Sequence, residues 1–141
     1  LKKNMENKNL LVVGGLIVKK NKILICQRSS DNDHPLKWEF PGGKVKTREE
    51  PLQALKREIN EELKITIKHP IYLCDYMFEY QDLNKKVKLL FYLINEYSGE
   101  ISNIVHNQLK WIEIKQLSDY DFLEGDHEII QKILKNDLKI N

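Results

Sequence analysis

Hydrophobic residues along the chain fall into short runs that are typical of strands. The mostly apolar, β-branched run at residues 10–18 predicts a buried strand, and residues 23–28 predict its hairpin partner. Residues 65–80 and 86–96 predict two long strands joined by a polar turn, and residues 109–114 predict a further short strand. Together these runs predict that one sheet carries most of the fold.

Two other stretches place apolar residues at helical spacing. The first begins at Pro51, which suits the first helical position, and its apolar stripe consists of Leu52, Leu55, Ile59 and Leu63. The second spans residues 126–135, and its stripe consists of Ile129, Ile130, Ile133 and Leu134. Strands and helices in this order predict an α/β fold in which a mixed sheet lies between helices.

Length and charge narrow the class of protein. A chain of 141 residues fits one domain, which we place at residues 9–141 after a flexible N-terminal tail at residues 1–8. Lys and Arg number 23 against 21 Asp and Glu, and a net charge of +2 without a long basic stripe predicts no direct nucleic-acid partner. No apolar run reaches the roughly 20 residues of a membrane span. We therefore expect a cytoplasmic monomer or homodimer without a membrane partner.

The first predicted helix carries three glutamates, Glu58, Glu61 and Glu62, at positions i, i+3 and i+4. Their side chains should converge on one edge of the helix, where like charges repel each other. Carboxylate oxygens are hard ligands that suit Mg²⁺ or Mn²⁺. The alternative is a solvated acidic face paired with neighbouring lysines and arginines.

The turn before this helix favours the metal-binding interpretation. Pro41-Gly42-Gly43 lets the backbone pass close to a ligand, and a free carbonyl there could complete a coordination shell. Glu49 lies at the helix entry and could hold Arg57 or a metal-bound water. Arg57 could in turn form a bidentate bond to a carboxylate and fix its orientation.

The stretch from Gly43 to Ile65 resembles the Nudix box, a glycine followed at fixed spacings by Glu and then by Arg-Glu-apolar-x-Glu-Glu. The matching residues are Gly43, Glu49, Arg57, Glu58, Ile59, Glu61, Glu62 and Ile65. The wider phrase KWEFPGGKV is similar to the MutT-type branch, which includes 8-oxo-dGTP diphosphatases and CTP pyrophosphohydrolases. The resemblance extends over nearly the whole chain.

The resemblance implies the Nudix α/β/α sandwich and the Mg²⁺-dependent hydrolysis of a nucleoside diphosphate linked to another group, with Mn²⁺ as a substitute. By matching position, Glu58, Glu61 and Glu62 would ligate metal with the carbonyl of Gly43. Glu58 or a neighbour would deprotonate the attacking water. The resemblance therefore implies four catalytic residues: Glu49, Arg57, Glu58 and Glu61.

The substrate implied first is a nucleoside triphosphate, either 8-oxo-dGTP or a related modified or pyrimidine dNTP. Its products would be the nucleoside monophosphate and pyrophosphate, a reaction that cleans the nucleotide pool. The alternatives are hydrolysis of another nucleoside diphosphate derivative and a non-catalytic Nudix module that senses a nucleotide.

The chain departs from the Nudix pattern at three places, the first of which is Arg48-Glu49, where the pattern has Gly-Glu before the helix. Lys64 replaces the glycine expected at a left-handed helix C-cap, at a cost of about 1 kcal/mol. Val105 stands six residues before Trp111, where MutT-type sequences often have an additional glutamate that binds metal or acts as a base. We interpret the adjacent His106 as a surface histidine rather than as a replacement ligand.

Four further residues are candidates for substrate binding. Arg28 could bind a phosphate or base, or form a salt bridge at the end of its strand. Phe40 could form a wall of the base pocket or belong to the core, and Lys44 could reach a phosphate oxygen. Asp126 could hydrogen-bond the edge of a base or cap the last helix.

Overall fold

A computed structural model describes residues 10–80 and 85–141. Its strands are β1 (Leu10–Lys19), β2 (Lys22–Gln27), β3 (Trp38–Glu39), β4 (Gly42–Lys44), β5 (Thr66–Lys68), β6 (Ile71–Tyr80), β7 (Lys85–Ile94), β8 (Glu96–Ser98) and β9 (Gln108–Glu113). Its helices are α1 (Pro51–Leu63) and α2 (His127–Leu134), with 3₁₀ turns at Ile114–Asp119 and Glu124–Asp126. The predicted tail at residues 1–8 and the centre of the predicted turn after residue 80 lie outside the described residues.

Strand β1 organises the main sheet. It pairs in parallel with β7, in the register Val13 with Leu90, and antiparallel with β4, in the register Val13 with Gly43. Strand β6 extends the sheet beyond β7, while β2 joins the end of β1 and itself pairs with β3 and β9. Parallel and antiparallel pairs occur together, which confirms the predicted mixed sheet.

Helices cover both faces of this sheet because successive strand side chains point to opposite sides. Val13 and Ile17 of β1 belong to the buried cluster that includes Leu55 and Ile59 of α1. Leu16 of β1 belongs to the opposite cluster, which includes Ile129, Ile130 and Ile133 of α2. The predicted α/β/α sandwich is confirmed. None of the helices in the described ranges is long and apolar enough to cross a membrane.

The prediction of single strands over residues 65–80 and 86–96 was wrong. The first is broken at His69, which has a φ of 50° and precedes Pro70, so β5 and β6 run separately. Strand β5 pairs with β8, in the register Ile67 with Tyr97, and forms a small second sheet. The sequence carried a signal of this break, because Pro70 cannot donate a ladder hydrogen bond and interrupts the apolar pattern together with His69.

Helix α1 ends as predicted, in a left-handed cap. Lys64 has φ 61° and ψ 32°, and its backbone N–H donates to the Asn60 carbonyl at 2.9 Å. Because a side chain in this conformation is strained, we expect Lys64→Gly to raise the free energy of unfolding by about 1 kcal/mol, measured by urea denaturation. The matched variant Lys56→Gly, at an exposed position inside α1, should lower it by about 1 kcal/mol. Equal effects of the two variants would contradict the strained cap.

Candidate active site

Arg57 joins helix α1 to the loop before it. Its Nε donates to Glu49 Oε2 at 2.7 Å and its Nη2 donates to Glu49 Oε1 at 3.0 Å, so two parallel bonds hold that carboxylate. Nη2 also donates to the Lys44 carbonyl at 3.0 Å. Hydrogen bonds from Arg57, followed by one from the backbone of Lys46, lower the pKa of Glu49 to about 2. Glu49 therefore fixes Arg57 in place as a charged partner.

The remaining guanidinium nitrogen of Arg57 contacts the glutamates of α1. Nη1 donates to Glu58 Oε2 at 3.0 Å and to Glu61 Oε1 at 3.3 Å. The Glu61 side chain is 56% exposed and is directed towards Arg57. The expected convergence of the three glutamates is therefore only partial. In residues 10–80 and 85–141 no three ligating side chains stand ready as a closed metal cage.

Glu62 is mostly buried, close to two other glutamates, Glu39 and Glu58. Its side chain is 13% exposed, and its buried Oε1 has no hydrogen-bond partner among the described residues. Burial, and then the charges of Glu39 and Glu58, raise the pKa of Glu62 well above its usual range. A cation would allow these carboxylates to be ionised together, so the cluster fits a divalent metal.

Gly43 brings the backbone of β4 directly against Glu58. A Cβ added at this glycine would lie 2.5 Å from Glu58 Oε1 and 2.7 Å from Glu58 Oε2, so a side chain there would displace the Glu58 carboxylate. The close approach puts a peptide group beside the carboxylates of α1. Oxygen donors from Gly43, Glu58 and Glu62 therefore suit a hard divalent cation.

A cavity of about 440 Å³ opens beside these groups, a size suited to a nucleotide-sized ligand. Of the ten residues proposed from the sequence as catalytic, metal-binding or substrate-binding, six line it: Arg28, Phe40, Gly43, Lys44, Glu62 and Asp126. The other four do not line the cavity. They are Arg57 and the three glutamates to which it donates hydrogen bonds, Glu49, Glu58 and Glu61. The structure thus groups the expected substrate-binding residues around one space, with Gly43 and Glu62 reaching into it.

For Arg28 and Phe40 the structure shows the salt bridge and the core position respectively, and both residues also line the cavity. Arg28 Nη1 forms a 3.0 Å salt bridge with Glu39 Oε1, and Arg28 Nε donates to the Asp33 carbonyl at 2.7 Å, while the residue also lines the cavity. Phe40 is buried against Phe91 and Phe122 and forms part of the cavity wall as well. These contacts therefore hold both side chains in place at the wall of the cavity.

Asp126 does not cap helix α2 with its side chain, and that interpretation was wrong. A 3₁₀ turn precedes the helix, so Asp126 already has helical φ −93° and ψ −5° and makes no side-chain cap bond. The residue is only 8% exposed and lines the cavity. Burial, and then the charge of Glu39, raise the pKa of its carboxyl group well above the usual value.

The interpretation of His106 as a surface histidine was also wrong. Its side chain is 5% exposed, with Nε2 3.5 Å from Glu39 Oε2 and 3.6 Å from Glu62 Oε1. The neighbouring Val105 is half exposed. Sequence reasoning missed Glu39 as well, although its position between the buried aromatics Trp38 and Phe40 was a usable signal, since alternation turns it to the opposite face.

A family model described as NUDIX domain matches residues 8–133. The chain belongs to the Nudix family. The 8-oxo-dGTP diphosphatase of Buchnera aphidicola subsp. Schizaphis graminum is 36% identical over 125 residues, covering 88% of this chain and 92% of that protein. The CTP pyrophosphohydrolase of Escherichia coli strain K12 is 28% identical over 127 residues, covering 90% and 93%. The solution structure of the E. coli ORF135 protein has a TM-score of 0.82, 27% identity and 94% coverage of each chain.

These similarities place the chain in the MutT-type branch of the Nudix family. The Nudix box begins on β4 with Gly43 and continues through α1, so the sheet and the helix each supply one side of the site. Nudix hydrolases act with a divalent metal, for which Glu58, Glu62 and Gly43 provide suitable oxygen donors.

Proposed function

We propose that this Nudix chain uses Mg²⁺ to hydrolyse a nucleoside triphosphate to the monophosphate and pyrophosphate, removing modified nucleotides from the pool. The supporting observation is a single cavity lined both by Gly43 and Glu62 of the Nudix box and by the candidate base-binding residues Phe40 and Asp126. We assign this activity to the cytoplasm. Both cysteines of the chain, Cys26 and Cys74, are free thiols, and a reducing compartment keeps thiols in that form.

The metal would be held by Glu58, Glu61 and Glu62 with the carbonyl of Gly43. When bound, it offsets phosphate charge and acidifies water. Glu58 would accept the proton of the attacking water, and Arg57, whose Nη1 donates to Glu58 Oε2 at 3.0 Å, would orient the carboxylate. Arg57 is a positioning residue in this scheme, and its own position depends on the paired bonds to Glu49.

The cavity also supplies groups for the other parts of a nucleotide. Arg28 and Lys44 present positive charge to the phosphates, and Phe40 offers an aromatic face to the base. Burial raises the pKa of Asp126. In its protonated form the carboxyl group would donate one hydrogen bond to a base while accepting another. A base that presents a donor beside an acceptor, as 8-oxoguanine and several pyrimidines do, matches this pair.

Chromatographic analysis of the products formed with Mg²⁺ across a nucleotide panel tests the proposal, because it separates pyrophosphate and nucleoside monophosphate from the AMP and ribose 5-phosphate that ADP-ribose would give. The panel holds the natural dNTPs and NTPs, 8-oxo-dGTP, 5-methyl-dCTP and ADP-ribose, with the Glu58→Gln variant as the control. We expect one nucleoside triphosphate to be cleaved to monophosphate and pyrophosphate, and the variant to be inactive. Cleavage of ADP-ribose alone would contradict the proposed substrate class. Tight nucleotide binding with no turnover of any compound would favour a sensor.

A further inference from the structure

Gln27 is the last residue of β2 and lies between two loops that border the cavity. The β2–β3 loop, residues 28–37, supplies Arg28 to the cavity lining, and the β8–β9 loop, residues 99–107, supplies His106. Strand β2 pairs with β3 on one side and with β9 on the other. One loop therefore begins beside Gln27 and the other ends beside it.

The side-chain amide of Gln27 contacts both loops. Its Nε2 donates to the Leu36 carbonyl at 3.1 Å, near the end of the β2–β3 loop. Its Oε1 accepts from Asn107 Nδ2 at 2.7 Å and from Gln108 Nε2 at 2.9 Å, where the β8–β9 loop enters β9. One side chain therefore joins two loops that are far apart in sequence, with its donor on one loop and its acceptor on the other.

Backbone hydrogen bonds extend this connection to the residues that line the cavity. The Gln27 carbonyl accepts from the Asn107 N–H at 2.9 Å, and the Arg28 carbonyl accepts from the Leu36 N–H at 3.2 Å. Arg28 directly follows Gln27 in the chain, and His106 directly precedes Asn107. The backbone at both cavity residues is therefore held next to the contacts of the Gln27 amide.

We propose that Gln27 is a positioning residue of the active site, whose amide holds the β2–β3 and β8–β9 loops together and so fixes Arg28 for the substrate. This inference deepens the proposed function and rests on it, because Arg28 would act on the phosphates of the nucleotide. The Nudix-box residues Arg57 and Glu58 belong to a different hydrogen-bond network, on α1. Loss of the Gln27 amide should therefore weaken substrate binding more than turnover.

Amide hydrogen exchange and steady-state kinetics of the full chain test this role. Gln27→Met keeps the length of the side chain and removes its hydrogen bonds to both loops. Exchange of the Leu36 and Asn107 amides should become about tenfold faster, the scale of one or two lost hydrogen bonds. KM for the nucleoside triphosphate that the wild type cleaves should rise by about the same factor, while kcat stays within about twofold.

Gln27→Glu separates the contributions of the two loops. Its carboxylate can still accept from Asn107 but cannot donate to the Leu36 carbonyl. Exchange should therefore become faster at Leu36 and stay unchanged at Asn107, and KM should rise because the released loop is the one that carries Arg28. The matched control Gln131→Met, at an exposed position on α2, should alter neither exchange nor KM.

Two results would overturn the inference. Unchanged exchange at both amides in Gln27→Met would mean that the loops keep their places without the amide. An unchanged KM with faster exchange would mean that the loops do not position the substrate. Failure of the proposed function looks different, because the wild-type chain would then cleave no nucleoside triphosphate, while exchange, which needs no substrate, would still show whether Gln27 holds the loops.

Discussion

Glu58→Gln should lower kcat for pyrophosphate release by about three orders of magnitude or more, the scale of a lost general base together with a weakened metal ligand. The amide has almost the shape of the carboxylate, yet it cannot accept the proton of the attacking water. Arg57 would still donate to its oxygen, so the side chain should keep its place. The measurement is kcat at saturating nucleotide and Mg²⁺.

Stability separates this effect from damage to the fold. Glu58 is one of the charges that raise the pKa of Glu62, so its replacement relieves repulsion and should leave the unfolding temperature unchanged or higher. Glu128→Gln, at an exposed position on α2, is the matched control and should retain full kcat. A Glu58→Gln chain within tenfold of wild-type kcat would exclude Glu58 as the base.

Local rules account for much of what the sequence predicted. Pro51 and Lys64 mark the ends of α1 because helix termini are determined by a few neighbouring residues. The apolar stripes of α1 and α2 predicted the two helical layers, since most of each stripe is buried against the sheet. Leu52, which the sequence placed in the α1 stripe, is instead 43% exposed. The Nudix box predicted which carboxylates lie on α1, since their spacing along one helix is fixed.

Contacts between distant segments were not predictable in the same way. His106 approaches Glu39 and Glu62 across gaps of 67 and 44 residues, from a segment without regular structure between β8 and β9. Nothing local to a histidine reports which partners will surround it. The different environments of Glu61 and Glu62, adjacent in sequence, likewise depend on where Arg57 and β4 lie in the fold.

Gly43→Ala should lower kcat by about 100-fold, the typical cost of displacing a catalytic group by roughly 1 Å. The new methyl group would lie 2.5 Å from Glu58 Oε1, so the carboxylate has to move. Gly43 has no positive φ, which means that alanine does not strain its backbone. We therefore expect a folded protein whose steady-state turnover is impaired and whose unfolding transition is nearly unchanged.

The neighbouring glycine provides the control, because its constraint is of a different kind. Gly42 has φ +151° and would place a Cβ 2.9 Å from the carbonyl carbon of Val13 in β1. Gly42→Ala should therefore lower the free energy of unfolding by about 2 kcal/mol or more, from backbone strain and the clash with β1. If Gly43→Ala destabilised the fold as much as Gly42→Ala, the role of Gly43 would be to allow the sheet to form rather than to position Glu58. If Gly43→Ala kept full kcat, the position of Glu58 would not limit the reaction, and the assignment of the base to Glu58 would fail with it.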